Sequence, residues 1–159
     1  MEELTQKDPI FNLWLLMTKT RRVIFKRRER ELLPYNLTPE QCEILYIVKN
    51  LGNEAFTSKI ARLMLREVHT ISSIVSRMVE RGLLTKTKDV KYKNMIRVAL
   101  TKKGSEAQCQ SEERNSIHQI LSSLNEEERQ QLWDYLKVIL DKGIEVLDKS
   151  YKSPWSPKK

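Results

Sequence analysis

The sequence is poor in residues that punctuate a chain, with four glycines and five prolines among 159 positions. So few turn formers disfavour a many-stranded β fold and favour long helices. Its two cysteines, Cys42 and Cys109, stand 67 positions apart and suggest neither a disulfide framework nor a zinc site. The longest apolar stretch, Ile10 to Met17 broken by Asn12, is far short of the roughly 20 residues needed to span a bilayer. The opening Met1-Glu2-Glu3-Leu4 is acidic and lacks the apolar segment of a secretory signal, so a cytoplasmic protein is expected. Catalytic signatures are missing as well. His69 and His118 fall in different predicted helices, and there is no HExxH, P-loop or glycine-rich nucleotide turn. Neither enzymatic activity nor a cofactor is expected.

What is present is charge. Charged residues make up 31% of the chain, against 40% hydrophobic, and the net charge is +8. The excess suits a polyanionic partner, although it does not by itself separate nucleic acid from an acidic membrane. Its distribution is more informative. Residues 19–33 carry +5, residues 57–104 carry +9, and residues 105–150 reverse to −5. A basic central third beside a more acidic helical end reads as a nucleic-acid module joined to something else. For residues 19–33, a merely solvated helix face is an equal reading.

Asp8-Pro9 predicts the start of a first helix of about 24 residues ending before Pro34. Its N-terminal half is apolar on more than one face, which points to burial against another chain. Thr38-Pro39-Glu40-Gln41 is a capping box for a second helix, stopped by Gly52. Thr57 or Ser58 is expected to cap a third, with Ile60, Ala61, Leu63 and Met64 inward. From Val68 to Arg81 the sequence is amphipathic. Ile71, Ile74, Val75, Met78 and Val79 share one arc; His69, Ser73, Ser76 and Glu80 lie opposite, with Thr70, Ser72 and Arg77 at the flanks. Residues 83–87 and 95–100 read as two strands of a hairpin with lysines at its tip. Thr101 is expected to cap a helix running to about Leu124, and Asn125-Glu126-Glu127-Glu128 to open the last one. In that helix Leu132, Leu136, Ile139, Leu140 and Leu147 form the apolar stripe. Residues 151–159 read as a disordered tail.

Three short helices followed by a hairpin make a winged helix–turn–helix. Small hydroxylic side chains let an amphipathic helix sink into the major groove, where Ser and Thr bond bases or phosphates and Arg takes guanine bidentately. Lysines at the hairpin tip would neutralise phosphates alongside or reach the minor groove. Four segments carry a family resemblance: residues 37–41 (Leu-Thr-Pro-Glu-Gln), 57–61 (Thr-Ser-Lys-Ile-Ala), 75–83 (Val-Ser-Arg-Met-Val-Glu-Arg-Gly-Leu) and 96–104 (Ile-Arg-Val-Ala-Leu-Thr-Lys-Lys-Gly). In this order and spacing the chain resembles the MarR family of bacterial transcription regulators over roughly residues 8–150.

The resemblance implies a mainly α fold with a small β-hairpin wing. A winged helix–turn–helix (residues 36–101) would be joined to a helical dimerisation region (residues 8–35 and 102–150). It further implies a homodimer reading a pseudo-palindrome in double-stranded DNA, commonly a repressor released by a small aromatic or phenolic ligand or by thiol oxidation. Residues 66–72 and 93–98 look most like a subset from organohalide-respiring bacteria, whose genes often neighbour those of reductive dehalogenases. One departure concerns the wing, where the family often carries Asp-x-Arg. Asp89-Val90-Lys91 is the nearest echo, but it lies too far upstream and has Lys for Arg.

The expected DNA contacts are therefore His69, Thr70, Ser72, Ser73, Ser76, Arg77, Lys91, Lys93 and Arg97. Some have plainer readings. Arg77 could pair with Glu80, Glu67 or Asp89, His69 could be a surface residue, and Arg97 a strand residue facing solvent. Trp14, Met17 and Tyr46 are candidates for a ligand pocket, with ordinary core as the alternative. Cys42 and Cys109 read as inert thiols. A competing function is a winged-helix protein-interaction module without DNA binding. A peripheral membrane protein would need the apolar half of the first helix exposed, a surface that a dimer uses more plausibly.

Overall fold

A computed structural model describes residues 8–90 and 95–147. The lysine tip at Lys91 and Lys93 and the predicted tail at 151–159 lie outside the described residues. The described residues form seven α-helices and one two-stranded antiparallel hairpin.

The first helix, α1 (Pro9–Leu32), starts as its sequence dictates: the Asp8 carboxylate accepts from the amides of Ile10 and Phe11, and Pro9 needs no partner there. A short 3₁₀ turn ends at Asn36, whose φ of 52° redirects the chain. The second helix, α2 (Pro39–Leu51), opens on a complete capping box, Thr38 and Gln41 each bonding the other's backbone. It supplies Ile44, Leu45, Ile47 and Val48 to the core and stops at Gly52.

Two short connections then build the helix–turn–helix. The third helix, α3 (Thr57–Leu63), has no side-chain cap, contrary to expectation. Thr57 is buried at its first position and turns its hydroxyl towards the Ile96 carbonyl, so the wing claims the group that would have capped the helix. After α3 the chain reverses through Leu65 at φ 52°, with Leu65 N–H bonding Arg62 O and Arg66 N–H bonding Ala61 O. This is the double bond of a Schellman turn, made here without glycine. The fourth helix, α4 (Val68–Glu80), buries Ile71, Val75 and Met78 and half-buries Ile74 and Val79, as the periodicity predicts. Gly82, at φ 71°, closes it through a second such turn, Leu83 N–H to Met78 O and Gly82 N–H to Val79 O.

Strands β1 (Leu84–Lys88) and β2 (Ile96–Leu100) pair in register Leu84 with Leu100 through Lys88 with Ile96. The residues Ala55 and Phe56 add a short third edge, with Val98 N–H donating to Ala55 O at 2.8 Å. Thr101 caps the next helix, accepting from Gly104 N–H at 2.9 Å. Gly104 is obligatory there: a Cβ would stand 1.9 Å from the Leu83 carbonyl oxygen.

The single helix expected over 101–124 is two, α5 (Lys102–Gln110) and α6 (Asn115–Leu121). Arg114, in the left-handed region at φ 49°, makes the break. The stabilising partners come from α1. Arg28 donates to the Ser111 carbonyl at 2.5 Å, and the Glu31 carboxylate accepts from the Ser116 amide and hydroxyl at the start of α6. The last helix, α7 (Glu126–Leu147), opens on a reciprocal Asn125–Glu128 box and has no buried residue within the chain.

Candidate nucleic-acid interface

Burial of one side of α4 in the core fixes what the other side presents. His69, Ser73 and Arg77 are exposed; Thr70, Ser72 and Ser76 are half-buried at its flanks. These six predicted contacts thus lie on one outward surface. The Arg77 Nε reaches back to the Ser73 carbonyl at 3.4 Å, so among the described residues a backbone carbonyl, not a carboxylate, steadies the guanidinium. Beside the helix, Lys86 of β1 donates from Nζ to Ser76 Oγ at 3.0 Å, extending the polar surface onto the wing. Lys86 was not among the predicted contacts, because only strand register places it against Ser76.

Arg97 is placed differently. It ion-pairs with Asp89, which is buried, and lies over the Phe56 ring at 5.2 Å. Its guanidinium is thus committed to the base of the wing, and Asp89, one of the carboxylates considered for Arg77, holds Arg97 instead.

Arg81 fastens the end of α4 to the start of α2, donating to the Gln41 side chain at 3.0 Å and to the Asn36 carbonyl. Lys103 bonds the Arg81 carbonyl at 2.8 Å. The outward surface of α4 is therefore held by contacts at its end as well as by its buried stripe.

A cavity of about 350 Å³ opens where α1, α2, α5 and α6 meet, lined among others by Arg28, Cys42, Glu43, Tyr46, Ser111 and Arg114. Tyr46 was predicted for a pocket, and the Arg114 guanidinium lies 5.2 Å above its ring. Trp14 and Met17 are not brought to it within the chain: Trp14 is stacked on Phe11 in the apolar half of α1. Aromatic spacing along one helix does not report which neighbour covers it.

Charge around the cavity is shaped by its depth. Burial pushes the Cys42 thiol up, outweighing a Ser111 hydrogen bond and the Arg28 and Arg114 charges, so thiolate is disfavoured. Glu43 keeps an exposed side chain at the cavity mouth, and partial desolvation by its neighbours, then the Glu40 charge, raise its carboxyl, opposed by Arg66. Burial would also raise Glu31, but the bonds from Ser116 and Arg28 together prevail and hold it at about 2. No group of His, Cys, Asp and Glu suited to a metal occurs among the described residues.

An outward polar helix following a tight turn and flanked by a two-stranded wing defines a DNA-binding winged helix–turn–helix. The comparisons carry this to a family. The sequence model of the MarR family matches residues 37–91. The organohalide-sensing RdhR-CbdbA1625 transcriptional regulator in its 2,4-dichlorophenol-bound form is 30% identical over 99% of this chain and 94% of its own, with a TM-score of 0.86. Its ligand-free form is 31% identical over the same shares, also at 0.86. A mutant MarR from E. coli complexed with operator DNA shares the fold at a TM-score of 0.77, with 17% identity over 83% of this chain and 96% of that one. No protein of curated function matches the chain by sequence. The chain belongs to the MarR family of transcriptional regulators, whose members are generally not enzymes. No helix among the described residues is long and apolar enough to cross a membrane.

Proposed function

We propose that this chain is a homodimeric repressor that binds a pseudo-palindromic operator and is released by a small aromatic or phenolic ligand. The observation that carries the DNA reading is the outward surface of α4, where His69, Ser73 and Arg77 are exposed, Thr70, Ser72 and Ser76 flank them half-buried, and no carboxylate among the described residues pairs with Arg77. Lys91 and Lys93, which lie in sequence between the two strands, would neutralise phosphates. Arg97 acts by bracing the wing rather than by touching bases.

Dimerisation is supported by apolar surface that a lone chain leaves in water. Ile10, Phe11, Leu13, Trp14 and Leu16 of α1 are each more than half exposed, and α7 exposes Trp133, Leu136 and Ile139. Patches of that kind mark interfaces. The effector reading rests on the cavity between the α1/α6 and α2/α5 packings, which is large enough for a substituted ring. A ligand there would bear on Arg114, Ser111 and Arg28 together and shift the winged domains relative to the dimer contacts. The relative crystallised with 2,4-dichlorophenol makes a chlorinated phenol the first probe.

The test is a footprint on duplexes that the protein selects from a randomised pool, with and without 2,4-dichlorophenol. Two protected half-sites about one helical turn apart, lost on adding the phenol, are expected. A single half-site would refute the dimeric reading, and protection indifferent to phenols would refute this effector class.

A further inference from the structure

Helical hydroxyl groups usually spend their proton on a carbonyl one turn back. Thr18 does so to Trp14 O at 2.9 Å, and in the turn before α7 Ser123 bonds Ile120 O at 2.8 Å. Ser76 differs. Its oxygen accepts from the Lys86 ammonium at 3.0 Å, and its own proton goes to no acceptor among the described residues. A hydroxyl oxygen has one proton and two lone pairs, so a cation on one lone pair leaves the proton as the outward-acting group. The same cation polarises the O–H and makes it a stronger donor.

We propose that Lys86 is a positioning residue for DNA reading. By bonding Ser76 Oγ, it fixes that hydroxyl as a donor to an acceptor atom of the DNA. This rests on the DNA-binding reading above and deepens it. The acceptor is guanine O6 or N7, thymine O4 or adenine N7 at a base edge, or a phosphate oxygen. Lys86 keeps two further N–H groups for backbone phosphates, so it has a charge role as well as a positioning one. Substitution separates the two: Lys86→Met removes charge and donor, whereas Lys86→Gln removes charge and keeps an N–H donor.

The experiment measures affinities of the full chain for a duplex selected by wild-type protein from a randomised pool, and for each single-base variant of it. The proteins are wild type, Ser76→Ala, Lys86→Met, Lys86→Gln and the Ser76→Ala/Lys86→Met double variant, at two salt concentrations. Lys86 is exposed and Ser76 half-buried at the surface, so circular dichroism is expected to be unchanged. Each of Ser76→Ala and Lys86→Met is expected to weaken binding about tenfold, and the double variant little more than one of them. Lys86→Gln should flatten the salt dependence yet keep the wild-type base preference. A loss confined to one base pair identifies a base-edge acceptor; an equal loss on every duplex identifies a phosphate. Independent effects, with the double variant weakened about a hundredfold, would overturn the proposal. If wild-type protein selects no sequence, the DNA reading falls, and this inference with it.

Discussion

Replacing Glu31 with Gln removes one negative charge from the joint where α1 meets the break between α5 and α6. The carboxylate accepts from Arg28 at 2.7 Å, from the Ser116 amide at 3.1 Å and from the Ser116 hydroxyl. Despite the opposing effect of burial, these bonds lower its carboxyl from 4.5 to about 2. A carboxyl held that low favours the ionised folded chain by about 3 kcal/mol, at about 1.4 kcal/mol per pH unit. Its side chain retains 17% exposure, and solvent screening brings the expected effect nearer ~2 kcal/mol. The folded value is depressed, so the stabilisation is present in full above 4.5 and is lost as the pH falls from 4.5 to about 2. Urea unfolding of wild type and Glu31→Gln at one protein concentration, from pH 7 to pH 3, reads it directly. The variant should be less stable by about 2 kcal/mol at pH 7, with the gap closing on acidification. Other carboxylates titrate alike in both proteins and cancel. A gap below about 0.5 kcal/mol at pH 7, or one that does not change with pH, would refute this account of the joint.

Other consequences are open to simple assays. Arg77→Ala should cost about 1–3 kcal/mol of specific binding in a gel-shift titration, and unchanged affinity and preference would remove Arg77 from the contact surface. Replacing Lys91 and Lys93 together with Ala should weaken all sequences alike and reduce the salt slope by about two, and an unaltered slope would contradict a phosphate-neutralising tip. Gly104→Ala places a Cβ 1.9 Å from the Leu83 carbonyl; a destabilisation of about 1–3 kcal/mol is expected in thermal melts, and a neutral effect would show that the approach can relax. Leu136→Glu on α7 should turn a dimer into a monomer in sedimentation, and an unchanged mass would place the interface elsewhere.

Much of the fold was legible because its signals are local. Asp8-Pro9, the Thr38–Gln41 box and Gly82 each act within a few residues, and each appears where its spacing puts it. The buried stripe of α4 was equally readable, since periodicity alone sets it. The break at Arg114 was not. The segment between α5 and α6 contains neither Gly nor Pro, and its stabilising partners, Arg28 and Glu31, lie more than 80 positions away. Leu65 adopts a left-handed conformation that its side chain disfavours, so the turn before α4 carries no residue-type signature. Within the candidate site, the outward residues of α4 could be named from the helix itself. Lys86 beside Ser76, Arg97 on Asp89 and the cavity around Tyr46 depend on strand register and helix packing, which a linear pattern does not encode.

The central claim is that this chain selects particular sequences through a paired set of α4 surfaces. It is tested most directly by incubating the purified protein with sheared genomic DNA of its source organism at near-physiological salt and sequencing what is retained. The account predicts a small set of fragments sharing an inverted repeat, with half-sites about one turn apart. Retention of bulk DNA without a shared motif, or of nothing above background, would contradict it.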